Sequence, residues 1–220
     1  MAFTKQDLKP FPKDFVWGAS TSAHQVEGGN NNSWTKWEKE HNEELCRNGV
    51  KMVKKQADFL GGRLERVMKD AREAGNYISG KAADHYNLYP QDFKTMANLG
   101  MNGYRFGIEW ARIEPSQGKI NKKELMHYRQ VLKELDKNNI EPFVTMWHWT
   151  MPLWFSESGG WLRKDSPEIF FKYAKILLDE FSDSVNFWIT INEPLVYSSI
   201  SYFAGIWPPQ HRDPIKFIRS

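Results

Sequence analysis

Residues 102–110 read NGYRFGIEW, and this stretch decides the fold. It reads as a strand, rich in aromatic and apolar residues, with helix signals on both sides. Before it, Gln91–Leu99 reads as a helix with Phe93, Met96 and Ala97 on one face and Gly100 as its stop. After it come Pro115 and Gly118 in a loop, then a helix over Lys122–Asn138. Leu125, Tyr128, Leu132 and Leu135 are spaced for one face of that helix.

The same alternation continues outward. Glu141–Trp149 (EPFVTMWHW) reads as a strand, and Ser166-Pro167 opens another helix. Its apolar stripe is Ile169, Phe170, Tyr173, Ile176, Leu177 and Phe181. Asn186–Asn192 reads as the next strand, and Phe15–Ser20 (FVWGAS) as the first. Strands recur roughly 40 residues apart with a helix between, which predicts repeated βα units and parallel strands. Their continuous apolar character predicts burial on both faces. Gln25, Glu109, His148 and Glu193 all fall at or just past C-terminal strand ends, the edge where parallel α/β folds bind ligands.

One segment stands outside the repeat. Val50, Val53, Ala57, Leu60, Leu64, Val67 and Ala71 predict an amphipathic helix, broken at Gly61-Gly62. The chain has 220 residues, 40% hydrophobic, and carries ten Trp, eight Tyr and fourteen Phe. That composition predicts a globular domain in which most aromatic rings belong to the core, while aromatic faces also suit flat, partly apolar ligands such as sugar rings. The net charge of +3 is scattered, which argues against nucleic-acid binding. Cys46 is the lone cysteine, and no run reaches ~18 apolar residues. A soluble cytoplasmic protein with no membrane partner is expected.

Four clusters carry chemistry. In Asn192-Glu193-Pro194, a carboxylate follows an apolar strand. Burial there predicts a raised pKa, as a general acid needs. Capping of the next helix is the structural alternative. Trp147-His148-Trp149 sets a histidine among rings. Strand alternation predicts Trp147 and Trp149 on one side and His148 on the other, unless a bulge intervenes. No other histidine stands at ligand spacing, so no metal is expected. Gln25 offers donor and acceptors to a diol, with Glu27 placed to hold it. Arg105 points inward and, if buried, predicts carboxylate partners.

Together these clusters resemble glycoside hydrolase family 1, which includes β-glucosidases, β-galactosidases and 6-phospho-β-glycosidases. The resemblance runs from FPKDFVWGASTSAHQVEG through WEKE, ADHYNLYPQDFKTMANLGMNGYRFGIEWARIEP, MWHWTMPLWF and GGWL to ITINEP. It implies an α/β fold, a partial TIM (β/α)8 barrel of about the first four strands with intervening helices. It implies that residues 1–220 form the N-terminal half, with a helical insertion at about 41–80. It assigns the acid/base to Glu193, the 2-hydroxyl contact to Asn192, other sugar contacts to Gln25, His148 and Trp149, and a place near the catalytic carboxylates to Arg105. No cofactor is implied. Glu109 departs from the pattern, where most members carry Ser.

Retaining glycosidases need two carboxylates, ~5–5.5 Å apart. The family's nucleophile sits in a Thr-Glu-Asn-Gly motif that these residues do not contain. A β-glycoside substrate and the C-terminal half of a barrel, on the same or a separate chain, are the expected partners. The alternative is a noncatalytic sugar-binding or assembly half.

Overall fold

The structure, a computed structural model, describes residues 10–220. Four strands form one sheet: β1 (Gly18–Ser20), β2 (Gly103–Gly107), β3 (Glu141–Trp147) and β4 (Phe187–Ile191). They pair in the order β1-β2-β3-β4, each neighbour parallel. The helices of eight residues or more are α1 (Ser33–Lys55), α2 (Leu64–Ala71), α3 (His85–Asn98), α4 (Lys122–Lys137) and α5 (Ser166–Phe181). This is the α/β architecture of a partial (β/α)8 barrel. Among the described residues no helix is long and apolar enough to cross a membrane.

The core forms where helix stripes meet the sheet. Tyr128, Leu132 and Leu135 of α4 and Tyr173, Leu177 and Phe181 of α5 are buried with Phe106 and Val144. Trp110 stacks on Tyr173 at 4.7 Å. On β2, Tyr104 and Phe106 share a face and stack at 5.5 Å, while Arg105 lies opposite. Helix α3 begins at His85, earlier than its apolar spacing indicates, and carries Pro90 inside.

Burial on both faces holds for β2 but not for the outer strands. Phe187 of β4 is 49% exposed, and Val16 and Trp17 beside β1 are 47% and 49% exposed. The reason is topological: β1 and β4 are edges, each with a neighbour on one side only. The first strand is also shorter than FVWGAS suggests. Phe15 and Trp17 precede it and pack with Phe11, each pair of rings 4.7 Å apart, while the Trp17 carbonyl still accepts the Gly103 N–H at 3.0 Å.

Residues 41–80 are largely helical. Asn32 caps α1, its Oδ1 accepting the N–H groups of Trp34 and Thr35. Helix α1 ends at Lys55 and α2 begins at Leu64, with Gly61 between them at φ +50°. Short helical turns fill the gap: the long helix stops at Lys55, six residues before Gly61, and the chain leaves helical geometry again at Gly61. Cys46 Sγ and the Tyr77 hydroxyl both donate to the carbonyl of Ala71, pinning α1, α2 and the following turn together.

Pairing of β1 with β2 needs a bare backbone at Gly18. A Cβ there would stand 2.4 Å from the carbonyl oxygen of Gly103. Gly18→Ala is therefore expected to cost ~1–3 kcal/mol, as overpacking does. A Cβ at Gly62 meets nothing within 4 Å, and Gly62→Ala should stay within about 0.5 kcal/mol of the parent. Urea unfolding of the chain checks both.

Candidate functional site

The C-terminal strand ends carry four loops that meet. After β4, the Asn192 N–H bonds the Trp147 carbonyl at 3.0 Å and extends the β3–β4 ladder by one residue. That fixes the backbone of a buried asparagine. Its side chain is then oriented by Arg105, which donates to Asn192 Oδ1 from one arm and to Thr145 Oγ1 at 3.1 Å from Nε. The carboxylate partner expected for Arg105 is not found among the described residues. A neutral amide and a hydroxyl satisfy it instead, because the inner face between β2 and β4 presents Thr145 and Asn192 there.

With Oδ1 held by an arginine, the other side-chain atom of Asn192 must be the NH2 group. It lies 3.2 Å from His148 Nε2 and 3.5 Å from Glu193 Oε2. An NH2 group donates, so His148 Nε2 accepts and the ring proton sits on Nδ1. His148 Nδ1 is buried and has no partner among the described residues. Burial, helped by the charge of Arg105, pushes the pKa of His148 down to about 4.

Trp149 does not follow strand alternation. β3 ends at Trp147, and Trp149 adopts φ +72°. Trp147 is therefore buried against Trp161 and Tyr197, while His148 and Trp149 both line the cleft. The Trp149 indole N–H donates to the Asn192 carbonyl at 3.0 Å. Asn192 thus holds Arg105, His148 and Trp149, with Glu193 beside it.

Glu193 departs from expectation in its surroundings. It is exposed, so the burial that the sequence suggested is not met in this chain. It sits on β4's side, at a sheet edge. Its side chain makes no cap bond to the short helix Pro194–Ser198, which removes the capping alternative. Its backbone is left-handed, φ +45°, a conformation that costs a non-glycine residue ~1–2 kcal/mol. Such strain is found where surrounding structure holds a residue in place.

Gln25 lies in the short helix Ala23–Val26 after β1, exposed, with its Oε1 accepting from Ser22 Oγ at 2.9 Å. The amide nitrogen has no partner among the described residues. Glu27 does not hold Gln25. It is buried and bonds Arg112 at 2.8 Å and the Tyr128 hydroxyl at 2.8 Å. Burial pushes its pKa up to about 7, against the lowering effect of Arg112.

A cleft of about 140 Å³ collects Ser22, His24, Gln25, Trp34, His148, Trp149, Thr150 and Trp207. Trp34 stacks near Trp149 at 6.4 Å, and Trp207 tilts against Trp149 at 4.7 Å. Trp34 and Trp207 escaped the sequence reading, because nothing local distinguishes them from core tryptophans. Glu109 reads in the sequence as a strand-end residue and a departure from the family pattern; its contacts cross 77 and 41 residues of chain, beyond any local signal. Among the described residues, no group of three or more His, Cys, Asp or Glu side chains stands close enough to hold a metal ion.

A parallel sheet with polar side chains, aromatic rings and a carboxylate at its C-terminal edge has the ligand-binding edge of the (β/α)8 class. The sequence matches the model of glycosyl hydrolase family 1 over residues 7–61 and 62–219, and the chain belongs to that family. It is 34% identical over 209 residues to Beta-glucosidase A of Acetivibrio thermocellus, covering 92% of this chain and 40% of that protein. Among solved structures it is similar to a beta-glycosidase from Pyrococcus horikoshii, with TM-score 0.76, 34% identity, and coverage of 95% of this chain and 42% of that one. The family 1 β-glucosidase of Thermotoga maritima gives TM-score 0.78 at 29% identity, with coverage of 96% and 43%. The chain thus spans about two fifths of the length of these relatives.

The depressed pKa of His148 has a pH signature. Its folded value is about 4 against an ordinary 6.5. Between those values the unfolded chain binds a proton that the folded chain refuses, so stability falls as pH drops through the window. His148→Gln removes this loss. The melting-temperature gap between parent and variant is expected to shift in the variant's favour from pH 7 to pH 4.5, as thermal unfolding at each pH will read.

Proposed function

We propose that this protein is part of a retaining β-glycosidase that hydrolyses terminal β-D-glycosidic bonds, β-glucosides above all. The observation that carries the reading is the Asn192 node, which gathers Arg105, His148, Trp149 and Glu193 at one sheet edge in a chain of this family. Glu193 protonates the leaving oxygen in the first step. It then takes a proton from the attacking water in the second. Asn192 donates to the sugar 2-hydroxyl through the NH2 group that Arg105 has oriented. Gln25, His148 and Trp149 fix the remaining hydroxyls and one sugar face. Two carboxylates suffice for this chemistry, and no cofactor enters it.

The second carboxylate, the nucleophile, is assigned to strands that continue the barrel beyond β4 and β1, on the same or a separate chain. Three observations support this. The relatives are more than twice as long as this chain. A closed barrel takes about eight strands, and four are present among the described residues. The outer strands leave Trp17 and Phe187 exposed, where further strands would cover them. Burial of Glu193 would follow from the same closure. In this reading residues 1–220 are the N-terminal half of the barrel, and residues 41–80 are a helical insertion at its rim.

Glu193→Gln in the native enzyme tests the reading. Hydrolysis of alkyl β-glucosides, whose leaving groups need a proton, is expected to fall by roughly 10²–10⁴ in kcat/KM. Activated aryl β-glucosides should lose much less. Equal loss on both overturns the acid role. Saturable glucoside binding by the native protein without turnover would favour a noncatalytic sugar-binding half.

A further inference from the structure

Glu109 is 1% exposed, at the C-terminal end of β2, and carries a carboxylate that faces no cationic side chain among the described ion pairs. Neutral donors surround it instead. Asn32 Nδ2 donates to Oε2 at 3.1 Å. Thr150 Oγ1 lies 3.1 and 2.9 Å from the two oxygens. The Ala111 N–H donates to Oε1 at 3.3 Å. The Glu109 backbone N–H is itself fixed by the Tyr128 hydroxyl at 3.0 Å.

The two side-chain donors sit at different parts of the cleft: Thr150 lines it, and Asn32 lies two residues before Trp34, which also lines it. Asn32 is fully buried, and its Oδ1 is committed to the N–H groups of Trp34 and Thr35, each at 3.0 Å. Its Nδ2 also faces His24 Nδ1 at 3.3 Å, and His24 Nε2 meets Glu38 at 2.8 Å. His24 precedes Gln25. Thr150 follows Trp149, and the Thr150 N–H returns to the His148 carbonyl at 3.0 Å. One acceptor-only group therefore joins the start of α1 to the turn after β3 and, through the Asn32–His24 contact, reaches the loop after β1.

We propose that Glu109 is a positioning residue for the cleft: its carboxylate sets the relative seats of Gln25, Trp34 and the His148–Trp149 turn. It acts through Asn32 and Thr150 and touches no substrate. That the cleft takes a sugar rests on the glycosidase reading above; the positioning itself does not.

Glu109→Gln keeps the shape and changes the donor count. Whichever way the new amide faces, its NH2 group meets either the Asn32 NH2 or the Ala111 N–H, donor against donor. Asn32 cannot turn to relieve this without uncapping α1. Asn32→Asp in the same chain restores the match, since Asp caps helices equally well and accepts from the new NH2, with the His24 ring then donating to it from Nδ1 as well as to Glu38 from Nε2. Thr150→Val is the milder variant, removing one donor alone.

The Trp149 indole N–H, bonded to the Asn192 carbonyl, reports the seat of the turn without any ligand. The Trp154 indole N–H, bonded to the Glu114 carbonyl at 2.9 Å, serves as the reference outside the cleft. In hydrogen exchange by NMR on the native protein, Glu109→Gln is expected to lower protection of Trp149 roughly tenfold relative to Trp154, the scale of one buried hydrogen bond. Thr150→Val should do the same to a smaller degree, and Glu109→Gln with Asn32→Asp should recover much of the loss. Unchanged Trp149 protection, equal loss at both indoles, or no recovery in the double variant overturns the proposal. Titration with 1-deoxynojirimycin separates the two readings. A selective Trp149 effect in a native protein that binds no iminosugar upholds the positioning role and counts against the glycosidase.

Discussion

Arg105 donates to the side-chain oxygen of Asn192, and that contact decides which way the amide faces. A free asparagine side chain offers oxygen or nitrogen equally well to its surroundings. Here a guanidinium, which can only donate, claims the oxygen. The NH2 group is then turned toward His148 and Glu193, and the histidine's ring proton is driven to Nδ1. The polarity of the candidate site follows from this one orientation. It is set on the inner face of β2, one strand removed from β4.

The second constraint is the sheet's incompleteness. Parallel strands are stable when both faces and both edges are occupied. β2 and β3 meet that condition better than β1 and β4, and the burial of the strands follows the same order. Glu193 lies on the open side, so its exposure and the exposure of Phe187 have one cause. The left-handed backbone at Glu193 and Trp149 shows a different kind of constraint. Each residue leaves its strand in a conformation that its own side chain disfavours, held by the Asn192 backbone and side-chain bonds on either side.

Beneath the cleft, two buried carboxylates do separate work. Glu27 pairs with Arg112 and Tyr128, and Glu109 gathers neutral donors. Tyr128 bridges them, donating to Glu27 and accepting the Glu109 N–H. A helix residue that reads as part of an apolar stripe therefore supports the polar layer under the site. Its hydroxyl is what a purely hydrophobic stripe would lack.

The sequence by itself determined the order of strands and helices, the stripes that α4 and α5 bury and the loops where polar residues collect. These depend on local period and on glycine and proline, which act over a few residues. It also marked Gln25, His148, Trp149 and Asn192 as a group, through motifs in a fixed order. Tertiary structure alone decided that Arg105 serves an amide and not a carboxylate, that Glu27 turns away from Gln25, and that Trp149 joins His148 on one side of the turn. Those outcomes depend on contacts between loops that lie far apart in the chain, such as Arg105 with Asn192 across 87 residues. No local pattern records them, because a side chain's partner is fixed by the packing of strands and not by its neighbours in sequence.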